Sequence, residues 1–250
     1  MAFGKHKDND DDLEDTTGDP VDEDLDGPFD VEDFDDASTA ALGRLDLGSV
    51  LIPMPEAGQV QVELSEVGVP SAVWVVTPNG RFTIAAYAAP KTAGLWREVA
   101  TELADSLRKD VSEVRIEDGP WGREVIGVSN PEPNQPAGVV RFIGVDGYRW
   151  MIRCVVNGPQ DKIAALAEEA RNALADTVVR RGETPLPVRT PLQVQLPEPM
   201  AAQLRAAAEQ AAQQQLQQAQ QAQQQQPPQP AARRSELGSA MQQLRTITGG

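Results

Sequence analysis

Between Gln59 and Val156, one helical stretch apart, apolar residues recur at every second position and the runs are joined by short turns. Parallel neighbours need a crossover of about a dozen residues or more, so runs joined this closely pair antiparallel. "QVQVELSEV" (59–67) sets Val60, Val62 and Leu64 against Gln61, Glu63 and Ser65, the pattern of a strand with one wet face. "SAVWVVTPNGRFTIAAYAA" places two β-rich runs about Asn79-Gly80, residues that tolerate the positive φ of a hairpin turn. "SEVRIED" and "WGREVIGVS" meet at "DGPWG", and "VRFIGVDGYRWMIRCVV" (140–156) turns at Asp146-Gly147.

Two stretches change period. Leu95, Trp96, Val99, Leu103 and Leu107 fall on one helical stripe, with Thr92 as N-cap and Arg108-Lys109 suited to the C-terminal end of the dipole. Ile163, Leu166, Ala167, Ala170, Leu174 and Val178 form a second stripe, stopped at Gly182. Each stripe needs an apolar surface, and together they can cover one sheet face. The expected fold is therefore α+β: a largely antiparallel sheet with two amphipathic helices packed on one face, spanning residues 42–197 and flanked by disordered termini. Proline-punctuated residues 185–197 read as an extended arm along this domain.

Charge is segregated. Residues 1–40 hold sixteen Asp or Glu against two lysines, a net −14 out of −16 for the whole chain. Such a segment has too few apolar groups to offset the entropy of ordering, so residues 1–41 are expected to be a disordered acidic arm. Residues 198–250 are an Ala/Gln-rich, low-complexity tail expected to be partly helical. Met200, Leu204 and Ala207 start a stripe there, but beyond Leu216 nothing apolar larger than Ala continues it toward the prolines. Near the end, Leu237, Met241 and Leu244 would share one side of a short helix, a candidate docking peptide. The N-terminus lacks the apolar core of a signal peptide, and no apolar run reaches the roughly 18 residues of a membrane span. The expected location is the cytoplasm, with no membrane partner.

Few chemistries fit the residues. The one histidine, His6, lies in the acidic arm, so the body has no imidazole for a nucleophilic triad or a multi-histidine metal centre. The one cysteine, Cys154, sits in an apolar run and reads as a small core side chain. Neither a phosphate loop nor a glycine-rich dinucleotide turn occurs. Glu63, Glu66, Glu113, Glu117, Asp118, Glu124 and Asp146 could supply an acid–base pair from separate strands. Most of them fall on wet strand faces, turns or loops, where solvated charge is expected. No enzymatic activity, catalytic residue, metal or cofactor is expected. The near-neutral body lacks the basic stripe and aromatic platforms of a nucleic-acid binder, which leaves a protein as the expected partner.

The hairpin at 140–156 carries the candidate site. A two-residue turn pairs Ile143 with Trp150, Arg141 with Ile152 and Val139 with Cys154 on a core-facing side. The other side pairs Gly144 with Arg149, Phe142 with Met151 and Val140 with Arg153. Arg149 and Arg153 thus flank Met151 and Phe142, a mixed basic and apolar surface of the kind found at protein interfaces. In the plainer alternative, the arginine stems lie over the sheet and their heads stay in water. Trp121, between two glycines in "GPWGRE", is either a plug over the sheet edge or an exposed anchor. The expected binding residues are Arg149, Arg153, Met151, Phe142 and Trp121. They fit a protein-binding adaptor; a small-ligand or enzymatic domain using the sheet face around Arg149 and Arg153 is the alternative. A third possibility is that the acidic arm modulates a nucleic-acid-binding protein by occupying a basic site.

"GPWGREV", "RFIGVDGYRWMIRCVVNGP" and "VVRRGETPLPVR", together with the acidic start, resemble an actinobacterial family known only as a domain of unknown function. Genes of that family often stand near a dUTPase gene. The resemblance covers about residues 40–197 and implies no catalytic or ligand-binding residues.

Overall fold

The computed structural model describes residues 27–65, 68–129 and 137–224. The acidic run before Gly27, including His6, lies outside the described residues, as do Glu66 and the Leu237–Leu244 segment. The domain that ends at Pro197 and the helix that follows are two separate units.

The domain opens with β1 (Phe29–Asp30), a 3-10 turn (Val31–Asp33), α1 (Ala37–Ala41), β2 (Arg44–Asp46) and β3 (Val50–Pro53). Next come β4 (Gln59–Leu64), β5 (Pro70–Thr77), β6 (Gly80–Ala88) and helix α2 (Leu95–Leu107). Strands β7 (Glu113–Gly119), β8 (Gly122–Val128), β9 (Gly138–Asp146) and β10 (Trp150–Pro159) lead to helix α3 (Ile163–Ala175) and β11 (Val178–Val179).

Strands β4 to β10 form one sheet in the order β4-β5-β6-β10-β9-β8-β7, antiparallel throughout. The α+β class and antiparallel pairing follow the periodicity and short turns. The helices differ from expectation, because they lie on opposite faces. Ile143, Ile152, Cys154 and Val156 point toward α3 and its buried Leu166, Ala170 and Leu174. Phe142, Val125 and Met151, one residue out of phase, point toward α2 with Leu95, Trp96, Ala100 and Ala104. Side chains of consecutive strand residues leave by opposite faces. The unbroken apolar runs of β8 and β10 therefore require a layer on each side.

A second sheet, β1-β11-β3-β2, lies on the α3 side. Val50 and Val179 face the main core, while Leu51 and Val178 face away from it. That outer face is covered by Phe29, Val31, Phe34 and Ala40. Residues 27–41, assigned to the arm by composition, are thus part of the domain, because four apolar side chains among their acids find an apolar sheet to cover. Within residues 185–197, Arg189 N donates to Ala88 O at 2.7 Å, Ala88 N to Thr190 O at 2.8 Å and Leu192 N to Ala86 O at 2.8 Å. This strap fills the side of β6 that β5 leaves, since β5 pairs with β6 only at Val75–Thr77.

The second unit contains α4 (Glu198–Gln224), with an Arg205–Glu198 ion pair near its start. Leu216 is exposed.

Candidate functional site

The hairpin at 140–156 closes differently from a two-residue turn. Gly147 N donates to Trp150 O at 2.9 Å, and Ile143 pairs with Cys154, Val145 with Ile152, and Phe142 with Val155. Each β9 residue therefore meets a partner four positions later than expected. The cause is Trp150, which is buried and folds back over Gly147; a Cβ at 147 would lie 2.2 Å from its indole. An even shift preserves the faces, so Phe142, Met151 and Arg153 do share one.

The five expected binding residues do not come together as one surface. Met151 is buried beneath α2, and Phe142 packs against the same cluster. Arg153 is half-buried, with its guanidinium carbon 5.0 Å from the centre of the Tyr87 ring and Nη2 donating to Tyr87 Oη at 2.5 Å. It lines a recess of about 270 Å³ with Tyr87, Val99, Leu103 and Arg189. Arg149 has left the sheet for the hairpin loop, where its φ is +65°. Trp121, at the β7–β8 turn, packs against the main core and donates its indole N–H to Gly27 O at 2.7 Å.

Two roles are not evident from the sequence. Glu124, only 1% exposed, accepts from Arg141 Nη1 at 2.5 Å and from Arg171 Nη2 and Nε at 2.9 and 3.1 Å. Arg141 also reaches Glu117 at 2.8 Å. The cluster ties β7, β8 and β9 to α3. Burial pushes the nearby Cys154 thiol well above its usual range, and the Glu124 charge adds to the shift. Asp146 lies at the start of α2, where it accepts from Gly94 N at 2.8 Å and Trp96 N at 3.0 Å. It supplies from another strand the cap expected of Thr92.

A half-buried apolar area lies beside α2. That helix covers β7, β8 and β9. On the same face of β5, β6 and β10, the half-buried Trp74, Val76, Ala85 and Val155 belong to none of the core clusters. Arg81 lies over the Trp74 ring at 4.4 Å, and Trp74 Nε1 donates to Glu63 at 2.8 Å. Toward the β5–β6 turn this face holds a cavity of about 540 Å³ bordered by Gln61, Val76, Arg81 and Asn157. Among the described residues, no group of three or more His, Cys, Asp or Glu could hold a metal ion. No described helix is long and apolar enough to cross a membrane.

The geometry is that of an α+β domain with a filled core and a half-covered second sheet face. The chain belongs to the family described as "protein of unknown function (DUF3710)", whose model matches residues 27–203. No curated protein matches the chain. Among solved structures it is similar to a Bacteroides thetaiotaomicron protein at 15% identity and TM-score 0.38, covering 58% of this chain and 51% of that one. It spans about half that protein's length. It is also similar to LpqN of Mycobacterium tuberculosis, a protein involved in cell envelope biogenesis, at 12% identity and TM-score 0.31, over 52% of this chain and 83% of that one. Likenesses this low carry no argument about function.

Proposed function

We propose that this is a non-enzymatic, cytoplasmic adaptor that receives an amphipathic helix of a protein partner on the open part of its second sheet face. The observation behind the proposal is the incomplete layer: α2 covers β7–β9, while Trp74, Val76, Ala85 and Val155 lie beside it in no core cluster. Sheet faces with apolar side chains are normally completed by another packed layer. An apolar centre with Arg81, Gln61 and Glu63 at its rim matches the composition of protein interfaces. Two reactive groups of the body are silenced, which favours binding over catalysis. Glu124 is neutralised by two guanidinium groups, and the Cys154 thiol is held protonated.

Co-purification from cells with full-length protein tests this. Val76→Asp/Val155→Asp should lose a specific partner while circular dichroism stays unchanged, and Arg149→Gln/Arg153→Gln should keep it. An unchanged partner set with a folded Asp variant rejects the proposal.

A further inference from the structure

Most arginines that contact the second sheet or α3 meet a carboxylate: Arg44 meets Asp176, Arg171 meets Glu124, and Arg180 meets Asp46. Arg149 and Arg181 are exceptions. Among the described residues their guanidinium groups bond only to main-chain carbonyls. Arg181 Nε donates to Arg149 O at 3.1 Å and Nη1 to Thr184 O at 3.1 Å, while Arg149 Nη2 reaches Glu183 O at 3.4 Å. Burial, and then the neighbouring Arg149 charge, hold the Arg181 guanidinium below its ordinary range.

The pair is held in place. Arg149 adopts a left-handed φ of +65°, which a side chain other than glycine keeps only when its surroundings enforce it. Here Arg149 O accepts from both Ala89 N and Arg181 Nε. A cavity of about 460 Å³ opens beside Arg181, lined by polar Ser49, Arg180 and Thr184 and by apolar Leu186, Pro191 and Leu192. Arg181 opens on this cavity and Arg149 stands beside it, so two neighbouring cations have no carboxylate of the described residues at ion-pair distance, a pairing suited to acidic groups.

We propose that Arg149 and Arg181 receive carboxylates of the chain's own acidic segment, residues 8–26. That segment carries eleven Asp or Glu and no basic residue. It is tethered next to the cluster, because Asp30 accepts from Trp150 Nε1 at 2.8 Å and Trp150 follows Arg149 in the chain. The fourteen steps along the chain from Thr16 to Asp30 reach up to about 50 Å when extended. A tether of this kind gives an effective concentration on the order of millimolar. The arm then acts as an internal competitor, which any acidic partner must displace to reach Arg149 and Arg181.

Paramagnetic NMR on the full-length protein tests the contact, with a nitroxide on Thr16→Cys; Cys154 is fully buried and stays unlabelled. At low salt, amide signals of residues 147–150 and 180–184 should lose at least about half their intensity, the result for a contact whose intrinsic Kd is no weaker than the roughly millimolar effective concentration. They should recover in 1 M NaCl, where the screening length falls to about 3 Å. Recovery is also expected in Arg149→Gln/Arg181→Gln, but not in the exposed-site control Arg97→Gln/Arg123→Gln. Changing every Asp and Glu of residues 8–26 to Asn and Gln leaves the domain sequence intact and should restore the signals too. Broadening that is absent, falls elsewhere or survives these changes overturns the proposal. So does broadening in a mixture of nitroxide-bearing protein with isotope-labelled unmodified protein, since a second copy's arm would then be the occupant.

Discussion

Glu124 on β8 faces Arg141 on β9 at 2.5 Å, and Arg171 of α3 closes on the same carboxylate from the other side. The carboxylate is almost wholly removed from water, so its stability depends on both partners. Replacing one member of such a cluster strands the charge of the others, at a typical cost of about 3–5 kcal/mol. Glu124→Ala should lower the free energy of urea unfolding by that order. Glu117→Gln, on the exposed limb of the cluster, should cost about 1 kcal/mol or less.

Gly144 and Trp96 are equally interdependent. A Cβ at 144 would lie 2.0 Å from Trp96 Cδ2, and the indole N–H is fixed on Arg123 O at 2.7 Å. Gly144→Ala should therefore destabilise the domain by about 1–3 kcal/mol, the usual range for overpacking. In a Trp96→Leu background the same change should cost less, and thermal unfolding of the four proteins reads the coupling.

Cys154 should be chemically silent. Its thiol is fully buried and resists ionisation, while the thiolate is the reactive form. Ellman's reagent should label native protein negligibly and label it stoichiometrically in denaturant.

Asp46 gives a pH signature. Burial raises its pKa, but the hydrogen bond from Arg180, that from Gly48 N–H and the Arg180 charge together outweigh burial, so the carboxyl titrates below its ordinary 3.8. A depressed folded pKa gives stability above the unfolded value that disappears as pH falls through the folded one. For this partly exposed pair it amounts to about 1 kcal/mol or less. The stability difference between wild type and Asp46→Asn should be full above about pH 5 and shrink below about pH 4.

Particular residues show what was legible in the sequence. The alternation of Val60 and Val62 and the stripe from Leu95 to Leu107 were sufficient to read the strands and α2, because local periodicity records which side is buried. Helix placement was not legible from one face of a hairpin: Phe142 and Met151 look like an exposed patch until α2 is known to cross them. The register depended on the Trp150 ring turning back over Gly147, a tertiary contact invisible to turn statistics. Asp146 carries the sequence signal of a turn residue, although it also caps a helix 50 residues away. Of the candidate site, Arg149 and Arg153 were visible as charges, but their separation between loop and sheet was not. Trp74, Val76, Ala85 and Val155 looked like ordinary strand residues, since nothing local tells a covered face from an open one.

The adaptor claim is tested most directly by placing a photo-crosslinking benzoylphenylalanine at Val155 in the full-length protein inside cells, with Thr101 on the outer side of α2 as the control position. A discrete adduct is expected from position 155 alone, which peptide mass spectrometry places on an amphipathic helical segment of another protein. No adduct, an equal adduct from position 101, or one within this same chain would contradict it.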